Sequence, residues 1–136
     1  MKKLMLIIAI VFSGMLMQAQ SHTFSNNMGT NYMNGKTGNL KKSSISWTFK
    51  NSSNGIYSIT ATYAGTFKVK YSHYDSTNKL YVYVPIGSAK FDGAKINQVM
   101  SAGKLSDYAN GIAPRGKNVF GVVFTDNTGY LYTLSN

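Results

Sequence analysis

From Ser44 to Pro85 polar and apolar residues alternate almost without a break. In SISWTFK the alternation puts Ile45, Trp47 and Phe49 on one face, and in IYSITATY it puts Tyr57, Ile59, Ala61 and Tyr63 there. TFKVKYSH contributes Phe67, Val69, Tyr71 and His73, and KLYVYVP contributes Leu80, Val82 and Val84. A period of two marks half-buried strands. The intervening loops test whether these strands pair. A three-residue loop Ser53-Asn54-Gly55 sets Phe49 opposite Ile59 and Trp47 opposite Ala61. A second, Tyr63-Ala64-Gly65, sets Ala61 opposite Phe67 and Ile59 opposite Val69. Both end in glycine, as hairpin loops with a left-handed bulge residue do. A four-residue loop, Asp75-Ser76-Thr77-Asn78, sets Tyr71 opposite Val82 and His73 opposite Leu80. All three loops bring the apolar faces into one layer, and a one-residue slip would undo this. The segment is expected to be a four-stranded antiparallel meander.

Beyond Pro85 the rhythm changes. GAKINQVMSAG fits a short helix from about Ala94 to Ala102, capped by Gly103. NVFGVVF and YLYTLS flank a loop ending in Gly129, with Phe124 opposite Tyr132 and Val122 opposite Leu134. Val119, Val123 and Leu131 fall on the other face, so this hairpin is apolar on both sides and is expected deep in the fold. Residues 21–43, rich in Ser, Asn, Gly and Thr, read as an irregular N-terminal arm with at most a short strand near Tyr32. The expected fold is mainly β: a single β domain over 44–136, with the meander and the C-terminal hairpin in a small barrel or two-layer structure and one short helix in the crossover.

The first twenty residues stand apart. Lys2 and Lys3 precede an apolar run from Leu4 to Phe12, which Ser13 and Gly14 interrupt before Met15-Leu16-Met17. The run falls short of the roughly 20 residues a membrane-crossing helix needs. With Gln18-Ala19-Gln20 closing it, it has the three parts of a cleaved signal peptide, and its end resembles bacterial ones cut beside Ala-Gln. The expectation is export to the periplasm or beyond, with no transmembrane segment in the mature chain.

Composition narrows the chemistry. There is no cysteine, which removes disulfides, cysteine zinc clusters and a thiol nucleophile. Lys and Arg total 14 against 4 acids, all aspartate, and losing Lys2 and Lys3 takes the formal charge from +10 to +8. Such a surface favours anionic partners: an acidic polysaccharide, lipopolysaccharide or extracellular nucleic acid. His73 and Asp75, two apart in SHYD, are the only sequence-local acid–base pair, and a turn aspartate explains them as well. No nucleophile elbow, phosphate loop or metal-ligand spacing is present, so neither a cofactor nor an enzymatic role is expected. Two short stretches resemble known motifs. FGVVF (residues 120–124) is similar to the aromatic strand motif of RNA-recognition domains, with Val122 in place of its second aromatic. GSAKF (residues 87–91) is loosely similar to the serine-glycine-tyrosine motif of periplasmic lysozyme inhibitors, in a different order and without that family's cysteines. Each covers a few residues, and neither supplies a site.

The same register defines an outward face. Thr60, Lys68, Lys70 and Ser72 lie on it with Tyr81 and Tyr83, Lys70 opposite Tyr83 and Ser72 opposite Tyr81. Rings that stack on sugars or bases would stand beside ammonium groups that attract phosphate, sulfate or carboxylate. This candidate face points to a non-enzymatic domain that binds an anionic or sugar-containing polymer. The alternatives are a protein-interaction module, such as an inhibitor or a component of an envelope assembly, and a carrier of hydrophobic ligands inside a barrel.

Overall fold

The computed structural model describes residues 20–114 and 118–135; all but Gln20 of the expected signal peptide lies outside them. The strands are β1 (Ser21–Phe24), β2 (Asn26–Met33), β3 (Lys36–Thr37), β4 (Lys41–Ser43), β5 (Trp47–Asn51), β6 (Ile56–Ala61), β7 (Gly65–Asp75), β8 (Leu80–Pro85), β9 (Lys90–Phe91), β10 (Ala94–Ser101), β11 (Val119–Phe124) and β12 (Thr128–Ser135). A four-residue helix, α1, spans Leu105–Tyr108. All strands belong to one antiparallel sheet of order β1-β5-β6-β7-β8-β10-β11-β12-β2-β3, with β4 on β2 and β9 on β10. The mainly β class, the antiparallel meander and the C-terminal hairpin are as the alternation predicts.

The hydrogen-bonded path does not close, but chain continuity joins its ends. Residues 21–33 run antiparallel to 36–51 in one long hairpin: β1 pairs β5, and past Ser25 β2 pairs β4 and β3. The free side of β5 continues into β6, and that of β2 into β12. The sheet therefore folds over on itself into two layers. Trp47 and Phe49 of β5 meet Phe120 of β11 at ring-centroid distances of 4.8 and 5.1 Å, and Trp47 meets Tyr132 of β12 at 5.0 Å. Edge-to-face pairs of this kind add about 0.5–1.5 kcal/mol each beyond the area they bury. Phe91 of β9 stacks on Trp47 at one end of the core; at the other, Tyr108 of α1 packs on Phe24 and Phe49. Ile59, Val69, Val99 and Val122 fill the space between.

Three expectations are corrected. The irregular arm, residues 21–43, is instead four strands. It lacks a hydrophobic period because its core-side positions include Asn27 and Gly29, and a Cβ at Gly29 would lie 2.8 Å from the Tyr132 ring that covers it. The helix over Ala94–Ala102 is instead β10. Asp92 and Gly93, at φ 50° and 81°, form the two-residue turn that joins β9 to β10, and Asp-Gly is a strong signal for such hairpins. β10 then has partners on both sides, β8 and β11, so its backbone groups are satisfied in ladders. The third correction is one of register. β5–β6 pairs as predicted, Phe49 with Ile59 and Trp47 with Ala61. β6–β7 and β11–β12 keep the predicted faces but change partners: Ile59 meets Phe67, and Phe120 rather than Phe124 meets Tyr132. Only β7–β8 changes face.

Candidate functional site

The change at β7–β8 starts from a bulge. Near the strand tips His73 pairs with Val82, Tyr74 with Tyr81 and Asp75 with Leu80; below the bulge Tyr71 pairs with Tyr83 and Lys70 with Val84. Ser72 is the extra residue, and its Oγ lies 3.0 Å from His73 Nδ1. Two residues of β7 therefore pass for one of β8, and everything on β8 below that point turns over. Tyr71 and Tyr74 both face inward, with Tyr81 and Tyr83 beside them, while Val82 and Val84 take the outer side. The turn also starts one residue later than expected. The loop is 76–79, and Asp75 is the strand residue just before it, the flanking turn position where aspartate is favoured. Its carboxylate accepts from the Thr77 and Asn78 backbone N–H groups at 3.0 and 3.2 Å and from Asn78 Nδ2 at 2.8 Å. These bonds, the Asn78 side chain first, hold its carboxyl below the ordinary range.

The sequence-predicted face is thus divided. Lys68 and Lys70 are exposed on the outer side, opposite Ser58 and Ile56 rather than tyrosines. Thr60 lies on the same side, its Oγ1 2.8 Å from that of Thr66, and Ser72 sits in the bulge. Tyr81 and Tyr83 are on the inner side, with Tyr83 only 2% exposed.

On that inner side the tyrosines form a row. Tyr57 meets Tyr83 at 5.8 Å, Tyr83 meets Tyr71 at 5.7 Å, Tyr71 meets Tyr81 at 6.5 Å, and Tyr81 meets Tyr74 at 4.8 Å. The row climbs from the core to solvent: Tyr71 is 51% and Tyr74 44% exposed. Four of these rings, Tyr57, Tyr71, Tyr81 and Tyr83, line a cleft of about 320 Å³ together with Lys104 and Ser106. One hydrogen bond assembles it. The buried Leu105 N–H donates to the Tyr83 hydroxyl at 2.9 Å, so the residues on either side of Leu105 are brought to the cleft wall. Burial pushes the Tyr83 phenol up to about 12, against the opposing effect of that N–H. It is therefore a neutral hydroxyl at physiological pH. The loop before α1 is held by Tyr108, whose hydroxyl accepts from Gly103 N–H and donates to the Val119 carbonyl. Sequence reasoning missed this convergence. The clustering of Tyr71, Tyr74, Tyr81 and Tyr83 was its visible signal; nothing in the sequence marked Lys104 or Ser106.

Two other hollows differ in character. A groove of about 600 Å³ on the outer face has an apolar floor that includes Leu80, Met100, Val123 and Leu131, with Gln98 and Asn127 among its polar lining. A basic hollow of about 430 Å³ lies beside β4, where Lys41 and Lys42 stand near Asn31, Tyr130 and Tyr132. The SHYD residues share no hydrogen bond: Asp75 is held by its turn and His73 by Ser72, and His73 adds only a minor lowering of the Asp75 carboxyl. Among the described residues no three of His and Asp gather around a common metal position. In FGVVF, Phe120 and Phe124 face the core rather than an RNA. Comparison with family models, with curated proteins and with solved structures finds no match to this chain.

Proposed function

We propose that this chain is a non-enzymatic binding domain for a sugar-containing polymer, which it holds at the tyrosine cleft. The observation that carries the reading is the tyrosine row, whose inner rings are fixed by packing and whose outer rings are open to solvent. Tyrosine offers a large rigid contact surface with little rotamer entropy to lose and a hydroxyl for hydrogen bonding. Rings already held by neighbours lose less still on binding. A charge of +8 in the exported chain draws acidic polymers toward it. The carrier reading is not favoured, because Trp47, Phe49, Phe120 and Val122 fill the space between the layers.

The test is retention of the purified protein on immobilised glycans and on a polyanion, from low salt to about twice physiological ionic strength. The expected outcome is glycan retention that survives above physiological salt and is lost in Tyr71→Ala, a half-exposed residue whose truncation leaves the core intact. Retention that vanishes with salt on every matrix, or that Tyr71→Ala leaves unchanged, overturns the reading. The alternative, a protein-interaction module, is favoured by one observation, the apolar floor of the outer groove. A stable complex from envelope extract that Leu131→Lys abolishes would establish it.

A further inference from the structure

We infer that the cleft selects a sugar carrying a carboxylate, a uronic acid, with Lys104 as the group that reads the charge. The inference rests on the sugar-binding reading above and adds the class of sugar. Among the described residues that line the cleft, Lys104 is the one charged side chain, amid rings and hydroxyl groups. Its position is built rather than incidental. Leu105 is fully buried and its N–H is bonded to Tyr83, which ties the start of α1 to the cleft wall and leaves Lys104 exposed at the rim. The residue has an extended backbone at the start of α1, and its ammonium, a donor only, has no part in capping that helix end. Tyr71, exposed over half its surface, offers a face on which a pyranose ring can lie. Hydroxyls of Tyr57, Tyr81 and Ser106 supply neutral donors and acceptors around it. A sulfate or phosphate would also attract a lysine. A carboxylate attached directly to the ring keeps the anion within the same sugar unit that stacks on Tyr71, and it is the case proposed.

The experiment measures binding of soluble uronic-acid oligosaccharides, of the matching neutral oligosaccharides and of polyglutamate, by calorimetry near physiological salt. Expected is a preference of about tenfold for the acidic over the neutral oligosaccharide, the size of one charge-assisted hydrogen bond. Lys104→Gln should abolish that preference and Lys104→Arg should keep it. Lys104→Gln should also leave the unfolding midpoint unchanged, since the side chain is exposed and caps nothing. Equal affinity for acidic and neutral oligosaccharides overturns the inference and leaves the sugar-binding reading standing. Polyglutamate bound as tightly as the uronic-acid oligosaccharide, or a preference that survives Lys104→Gln, overturns it as well. No binding of either oligosaccharide overturns both.

Discussion

On the inner face of β7–β8 four tyrosines lean on one another beside α1; on the outer face Lys68 and Lys70 stand in solvent opposite Ser58 and Ile56. One backbone carries both sets, and the sequence alone placed Tyr81 and Tyr83 with the lysines. The difference between the faces is concavity. The inner rings border a cleft that α1 walls on one side, where water is partly excluded and geometry is fixed before a ligand arrives. The outer lysines are exposed on long side chains, and a pairing made there gains at most about 1 kcal/mol. A face that is rich in binding chemistry is therefore not yet a site. What makes the inner one a candidate is the chain of packing that joins Tyr71 through Tyr83 to the core.

That chain is broken most severely by Tyr83→Ala. The residue is buried, touches Tyr57 and Tyr71, and accepts from Leu105. Its loss leaves a cavity and an unpaired buried N–H at once, and should cost about 3–5 kcal/mol. Denaturant unfolding monitored by circular dichroism measures it. A cost under about 1 kcal/mol would mean that the two faces are equally dispensable to the fold.

A milder perturbation uses pH. Tyr83 and Tyr108 are each pushed up to about 12, both chiefly by burial. An unfolded phenol titrates near 10. Between these values the folded chain keeps its protons while the unfolded chain has lost them, so stability falls as pH rises. The contribution is fully present below about pH 10 and is lost progressively toward pH 12, on the order of 2 kcal/mol per phenol. Burial raises the Tyr132 phenol as well, so Tyr83→Phe is expected to flatten that fall by removing one of three titrating groups. Unfolding free energies measured at intervals from neutrality to about pH 12 give the slope. If the wild-type and Tyr83→Phe slopes coincide, the phenol is not buried as described.

How far the sequence could be read follows the same division. Loops whose glycines adopt positive φ left the faces intact: Gly55, at φ 72°, preserves the β5–β6 register. Tyr63 itself takes a left-handed conformation, at φ 70°, and moves the β6–β7 pairing by two residues, an even shift that does not exchange inside for outside. The Ser72 bulge consumes one residue, an odd shift, and period-two reasoning has no means of seeing it. It also misled because Leu80, Val82 and Val84 alternate as cleanly as any core strand, yet Leu80 belongs to the outer groove. β2 failed for the opposite reason: its core side carries Asn27 and Gly29, so a strand central to the fold had no hydrophobic signature. The cleft required both β8 turned over and α1 placed beside it. Its tyrosines were legible as residues and illegible as a site.

The smallest expected effect is the sharpest test of the contrast. Replacing Lys68 and Lys70 together by Gln removes two of the charges on which the outer-face expectation rested. Both side chains are exposed and neither pairs with a tyrosine across the strands. Unfolding stability should therefore stay within about 0.5 kcal/mol. Glycan affinity near physiological salt should change less than about twofold, because charges on the far side of the sheet are screened over about 8 Å. Retention on a polyanion at low salt should weaken, since that long-range attraction counts every lysine regardless of where a ligand sits. The double variant thus separates attraction to the molecule from capture at a site. Should it lose glycan retention at physiological salt as fully as Tyr71→Ala is expected to, capture occurs on the outer face, and the tyrosine row is core packing that extends to the surface.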